Sequence, residues 1–271
     1  MTSSGIDAYQ LPTELTSAFT EVQQFDTIDS TNAEALRQLQ AGKTGSFLLL
    51  AHTQTAGRGR RGRPWHSPPG AGIYLTLVRP FARSGGELQA LSLVTALSVQ
   101  EALQHCGVAN IRLKWPNDLL VDKKKLGGIL LELKSAATAR YVVFGVGINL
   151  KLPAEIRSAI NQPATDLHSL SHQGVDKSTV LAAVLQALLG NLQVFEQSAF
   201  QPFQARWNAL DHYRDQDIVL QVGDHRKIGK SLGVDDTGAL LLQTAAGVEK
   251  IGGGEIFPSL SPAPAGSQEQ T

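Results

Sequence analysis

The chain has one cysteine, Cys106, and one methionine in 271 residues. A lone thiol excludes an internal disulfide, and its simplest place is buried and inert at a helix end in a reducing compartment. Net charge is missing as well, since 24 basic residues balance 24 acidic ones. Coating a nucleic acid calls for a general basic excess, so no DNA partner is expected. No basic segment followed by an apolar run opens the chain, so no secretory leader is expected. No uninterrupted apolar stretch reaches the ~18 residues that cross a bilayer. A soluble, cytoplasmic protein with no membrane partner is expected. Aromatic residues make up only 6%, and no internal repeat is found. An apolar content of 42% and a charged content of 18% describe an ordinary globular protein, long enough for one large domain or a large and a small one.

Against this neutral background, residues 57–65 read GRGRRGRPW. Arg58, Arg60, Arg61 and Arg63 alternate with three glycines and meet no acidic residue before Trp65. Like charges repel, and glycine supplies no conformation of its own. A polyanion resolves both problems: backbone N–H groups can approach phosphate oxygens, guanidinium forks pair with them, and Trp65 can cover an attached ring. The plain alternative is a solvated basic loop. Because the charge is local, a small polyanion is favoured. Gly57, Gly59 and Gly62 also spell a dinucleotide fingerprint, but Pro64, Pro68, Pro69 and Gly70 forbid the helix that it needs. The kinase glycine loop lacks its HRD and DFG partners. A phosphate-loop near-miss from Gly223 to Ser231 has the wrong spacing and no helix after it.

Residues 1–21 are polar and weakly periodic, a loose arm. A short strand over 22–25 leads into DTIDSTN, where Thr31 and Glu34 form a capping box for a helix ending near Gln40, before Gly42. Ser30, Thr31 and Asn32 can serve as caps or hold a polar ligand group. Strands are predicted over 47–52, leading through Gln54 into the arginine loop, and over 72–79. Leu88, Leu91, Val94 and Leu97 mark a helix that ends near Gly107. Residues 111–132 read as strand, tight loop, strand, turn and longer strand. Lys114 and the lysines 123–125 form a second basic cluster, which can simply be solvated, and Asn117 and Asp118 can be turn formers. An apolar strand over 141–149 opens into glycines and ends at Asn149, a turn residue or a ligand contact. Helices follow over 178–197 and 200–210, the second holding Trp207 in the core. From Asp217 short alternating strands suggest a small β-barrel, and 259–271 is a low-complexity, disordered tail.

With GRGRRGRPW, KWPNDL, KKLGGILLE and GVGINL in this order, together with DSTN and Gln54, the chain resembles the biotin protein ligases from about residue 22 to residue 257. The resemblance implies an α+β fold: a catalytic domain at 22–212, with a mixed β-sheet flanked by helices as in lipoate ligases, then an SH3-like β-barrel at 213–258. It implies activation of biotin by ATP with Mg²⁺ to biotinyl-5′-AMP, then transfer to one lysine of the biotin carboxyl carrier protein of acetyl-CoA carboxylase or a similar domain. By the same resemblance, Ser30, Thr31, Asn32, Gln54, Arg58, Gly59, Arg60, Trp65 and Lys125 should bind biotin. Lys125 and Arg60 should be catalytic. Gly57, Arg61, Arg63, Lys114, Asn117, Asp118 and Asn149 should serve the nucleotide, and no metal ligand is assigned. The loop should act as a lid, disordered without ligand and ordered with biotinyl-AMP. Some family members carry an N-terminal DNA-binding domain and some pair through sheet edges. Here about 21 residues precede the first strand, fewer than the ~40 a domain usually needs, so the ligase without the repressor is expected, with a homodimer possible. Pro64 departs from the family's frequent lysine and leaves the arginines intact.

Two other readings remain. Lipoate or octanoyl transfer uses the same fold, but the arginine loop and KWPND oppose it. A nucleic-acid binder using loop and barrel would lose affinity steeply with salt, and neutral net charge opposes it.

Overall fold

The computed structural model describes residues 8–81, 88–135, 139–160, 162–171 and 174–257. The tail and residues 1–7 of the expected arm lie outside them. From Ala8 onward the arm is docked, contrary to expectation. A short helix α1 (Thr13–Thr16) lies between Tyr9 and Phe19, which are 7% and 8% exposed and belong to the main core. Tyr9 N–H donates to Gln24 Oε1, and Gln24 Nε2 donates back to Tyr9 O. Two isolated aromatics carry no periodicity, so this docking leaves no local signature.

The large domain runs β1 (Glu21–Ile28), α2 (Thr31–Gln40), β2 (Phe47–Gln54), β3 (Gly72–Phe81), α3 (Leu88–His105), β4 (Arg112–Lys114), β5 (Asp118–Val121), β6 (Lys124–Ser135) and β7 (Arg140–Asn149). It continues with α4 (Ala154–Ala159), α5 (Leu167–Leu170), α6 (Lys177–Ser198) and α7 (Gln201–Leu210). The sheet order is β1-β2-β3-β7-β6-β5-β4. Only β1 and β2 are parallel, joined by the crossover helix α2; the other pairs are antiparallel.

The run FLLLA of β2 is apolar throughout because helices cover both sheet faces. Phe47 and Leu49 pack with Ala35 and Leu39 of α2. Leu48 and Leu50 join the core that contains Val94 and Leu97 of α3 and Val184 and Leu188 of α6. By length and composition alone α6 could cross a membrane, which corrects the expectation that no segment is large enough. In the fold its Val180, Leu181, Leu185 and Leu192 are buried. Cys106 follows α3 half-buried, and burial raises its thiol pKa.

The small domain is antiparallel: β8 (Asp217–Val222), β9 (His225–Val234), β10 (Leu240–Thr244), β11 (Gly247–Ile251) and β12 (Glu255–Phe257), ordered β11-β10-β9-β8-β12. Ile218, Leu220, Leu240, Leu242 and Ile256 are buried in the same core as the large domain's apolar residues. Along β7 the side chains alternate. Tyr141 and Val143 face α2, and Phe144, Val146 and Ile148 face α3, so Gly145 and Gly147 fall on the α2 face. Their β6 partners there are Leu130 and Gly128. Glycines thus leave a hollow beside the start of α2.

Candidate active site

The hollow's first wall is the N-terminus of α2. Ser30 is the N-cap, its side chain accepting from Ala33 N–H, and Thr31 lies inside the helix. The expected capping box of Thr31 and Glu34 is therefore not formed: the N-cap is Ser30, and the residue three positions on is Ala33. Glu34 bonds Arg37 and Gln38 instead, because Thr31 is drawn inward. Thr31 N–H donates to Gln54 Oε1 at 2.9 Å. Thr76 Oγ1, fully buried on β3, lies 2.6 Å from Asn32 Oδ1 and 2.8 Å from Thr31 Oγ1. A hydroxyl has one proton and the amide oxygen has none, so Thr76 donates to Asn32 and accepts from Thr31. Asn32 Nδ2 donates to Glu132 Oε2 at 2.9 Å and to Leu130 O. A Cβ on Gly145 would lie 2.3 Å from Asn32 Oδ1, so only glycine fits there.

The arginine loop forms the roof as a hairpin. Gly59 N–H donates to Arg63 O at 2.8 Å and Trp65 N–H to Gly57 O at 2.9 Å. A single 3₁₀ turn spans Arg60–Gly62, with Arg61 left-handed at φ 56°. Carboxylates distant in sequence meet the arginines. Arg58 pairs with Glu132 at 2.9 Å, Arg63 with Glu255 at 2.7 Å and Arg61 with Glu255 at 3.6 Å. Among the described residues Arg60 alone of the four makes no ion pair. Its guanidinium donates to Asn117 Oδ1 and to Gly254 O, both at 3.2 Å. Burial lowers its pKa, opposed by the nearby Glu255 and Asp118. Trp65 lies over Gly147, where a Cβ would come within 2.6 Å of the ring, and its indole N–H has no protein partner among the described residues.

The floor comes from β4 to β6. Lys125 Nζ lies 2.7 Å from Asp118 Oδ1 and 5.5 Å from the Trp65 ring centre. Lys123 and Lys124 are exposed, so of the lysine run only Lys125 turns inward. Lys114 is 4% exposed, over the Tyr213 ring at 5.9 Å, and burial lowers its pKa. Asn117 Nδ2 donates to Ile129 O, so this residue shapes its turn and also holds Arg60. Asn149 Nδ2 donates to Lys125 O and Thr165 O, which fastens the segment after α4 to the back of Lys125.

These walls enclose a cleft of about 420 Å³. Ser30, Thr31, Asn32, Gln54, Arg58, Gly59, Arg60, Trp65 and Lys125 all line it, as do Arg63 and Asn117. Gly57, Arg61, Lys114, Asp118 and Asn149 do not line it; they anchor the loop or stand behind the floor. Residues not singled out in the sequence also belong to the site or its support, among them His66 and Tyr74, which line the cleft, and Thr76 and Glu132, which tie its walls. A threonine on an otherwise apolar strand was the available signal for Thr76; Glu132 reads as an ordinary outward strand position. No group of three or more His, Cys, Asp or Glu suited to a metal gathers among the described residues. A divalent cation would therefore depend on ligand oxygens and water, as Mg²⁺ on phosphates does.

Residues 24–149 match the model of the biotin/lipoate A/B protein ligase family, and residues 216–257 match that of the biotin protein ligase C-terminal domain. The chain is 37% identical to the bifunctional ligase/repressor BirA of Escherichia coli, over 84% of this chain and 71% of that protein. It is also 37% identical to the biotin–[acetyl-CoA-carboxylase] ligase of Paracoccus denitrificans, over 84% of this chain and 97% of that one. Among solved structures, the biotin protein ligase of Aquifex aeolicus in complex with biotin and ATP superposes with a TM-score of 0.74 at 30% identity, covering 88% of this chain and 98% of that one.

Proposed function

The chain belongs to the biotin/lipoate A/B protein ligase family, and we propose that it works there as an ATP-dependent biotin protein ligase. A biotin carboxylate oxygen attacks the α-phosphorus of ATP, a P–O bond forms, and pyrophosphate leaves with the electrons of the broken bond. The neutral amine of one carrier-domain lysine then attacks the acyl carbon of biotinyl-5′-AMP, AMP departs, and the amine proton passes to solvent. The acceptor is a biotin carboxyl carrier protein. The observation that carries this reading is convergence: five separated stretches, DSTN, Gln54, the arginine loop, Asn117 and Lys125, meet around one cleft. Its size falls within the ~300–1,000 Å³ of small-molecule sites.

The first step brings two anions together, so the enzyme's work is alignment and charge stabilisation, with no protein nucleophile. Lys125 and Arg60 supply that charge at the reacting centre. Lys125 is held by Asp118, and Arg60 is the loop arginine left without a carboxylate. Ser30, Thr31 and Gln54 offer hydroxyl, N–H and amide groups to the ureido ring, which has one acceptor and two donors. Trp65 covers biotin's aliphatic arm. Arg63 and Asn117 face the nucleotide. Mg²⁺, when bound, would offset phosphate charge. The closed hairpin keeps water from an acyl-adenylate that would otherwise hydrolyse.

We also propose that the chain acts without binding DNA, because three arginines of its densest cationic segment are paired with Glu132 and Glu255. A cytoplasmic location accords with the unpaired Cys106. Mass spectrometry of carrier domain incubated with protein, ATP, Mg²⁺ and biotin tests the reaction. One biotin on one lysine is expected. Modification by lipoate in its place would shift the assignment to lipoate transfer, and no modification by either would end the ligase reading.

A further inference from the structure

We propose that Glu132 is a positioning residue that couples closure of the arginine loop to the shape of the biotin pocket. The inference rests on the ligase reading and deepens it. Glu132 projects from β6 opposite Val143, on the cleft's face, with its side chain 20% exposed. Its two oxygens serve opposite walls: Oε1 accepts from Arg58 Nη2 and Oε2 from Asn32 Nδ2, each at 2.9 Å. From Asn32 the bonding continues through Thr76 and Thr31 to Gln54, whose Nε2 donates to Ser67 Oγ at 3.0 Å. Ser67 in turn donates to Trp65 O. One bonded path therefore leaves the loop at Arg58, passes behind the pocket and re-enters the loop at Trp65. Glu132 is its anionic link.

The charge explains why a carboxylate stands there. A bare carboxylate beside a cleft for two anionic substrates repels them and weakens every cationic contact in it. Arg58 cancels that charge only while the hairpin lies down. Lifting the loop uncovers a partly buried carboxylate and frees one end of the link that orients Asn32. Glu132 thereby favours the closed state and slows escape of the acyl-adenylate. Because Arg58 is occupied in this way, Arg60 is the arginine left to serve the ligand. Glu132 touches no reacting atom in this scheme.

The test uses the full chain as wild type, E132Q, R58Q and the double variant. Each is loaded with radiolabelled biotin, ATP and Mg²⁺ and stripped of excess, and release of biotinyl-AMP is followed, with pyrophosphate exchange measured alongside. E132Q should release the adenylate about 10-fold faster or more, the scale of a lost charge-assisted bond. Its exchange at saturating substrate should fall less than about 3-fold, a split that damage to the fold would not produce. R58Q should release the adenylate faster to a similar degree, and the double variant should be no faster than E132Q, since both remove one contact. Unchanged release, equal losses in release and exchange, or multiplying effects in the double variant overturn the proposal. Should E132Q lose its melting transition, R58Q, altered at a half-exposed side chain, decides by the same release criterion. Hydrogen exchange of residues 57–65 without ligand reads the coupling independently of biotin: about 10-fold faster exchange in E132Q is expected, and no change overturns it even if the wild type makes no biotin adenylate. Absence of that adenylate in the wild type would count against the ligase reading alone.

Discussion

A Cβ on Gly147 would come within 2.6 Å of Trp65, and the ring can yield only by lifting off the sheet. Gly147→Ala should therefore raise the KM for biotin about 10-fold or more by removing one aromatic wall, while the melting temperature moves little. Titration calorimetry with biotin checks this, and unchanged affinity would mean that Trp65 does not cover the ligand. Lys125→Ala should reduce biotin-dependent pyrophosphate exchange on the order of 100-fold and cost about 2 kcal/mol of stability, because Asp118, 14% exposed, is left without its partner. Adding Asp118→Asn should restore the stability and leave exchange lost; recovery of both would make Lys125 merely structural. At this scale the sequence was informative where residue types cluster, as in DSTN and the arginine run. It offered only a lone threonine on an apolar strand for Thr76 and nothing for Glu132, because a glutamate in an alternating strand looks like an ordinary strand residue until the register shows which face it occupies.

At the scale of elements, the roof hairpin was the part least open to local reading. Arginine and glycine carry no periodicity, and the loop's anchors, Glu132 and Glu255, lie 74 and about 190 residues away in the chain. The flanking strands and helices were legible because β2, β7, α3 and α6 follow the alternation or the 3.6-residue repeat of buried elements. β1 was read short, since its burial alternates only weakly. Arg60→Gly should remove the bonds to Asn117 Oδ1 and Gly254 O and let biotinyl-AMP reach bystander lysines. A bulk-protein biotinylation assay showing no extra label would contradict that. Backbone amides of residues 57–65 should exchange more slowly once biotinyl-AMP is bound, and equal protection in both states would remove the lid role.

For the whole molecule, a buried titratable group lies between α7 and the small domain. Leu113 bridges to Asp211, and His212 N–H donates to Leu113 O at 2.8 Å. Burial pushes the Asp211 carboxyl from the usual 3.8 up to about 6. One oxygen accepts from Tyr213 N–H at 3.0 Å and the other has no protein partner among the described residues. The folded value exceeds the unfolded one, so the folded state holds this proton more tightly. Its contribution to stability therefore declines as pH rises from about 4 through about 6. Asp211→Asn keeps an acceptor for Tyr213 and removes the charge. It should stabilise the protein by on the order of 1–3 kcal/mol above neutrality, with the gain vanishing towards pH 4 in parallel melting curves; a gain independent of pH would exclude the carboxylate as its source. The division into a mixed-sheet domain and a small β domain was legible from texture. The strand order was not, since β3 pairs with β7 across an intervening helix and three strands. Neither was the docking of residues 8–20. The clasp between Arg60, Arg61, Arg63 and the strand beginning at Glu255 has a further consequence for biosynthesis. A nascent polypeptide emerging from the ribosome can form the Arg58–Glu132 link early, yet the bonds of the flap to Gly254 and Glu255 wait until those residues have been translated, so the flap is fastened at one end only until the small domain has been made.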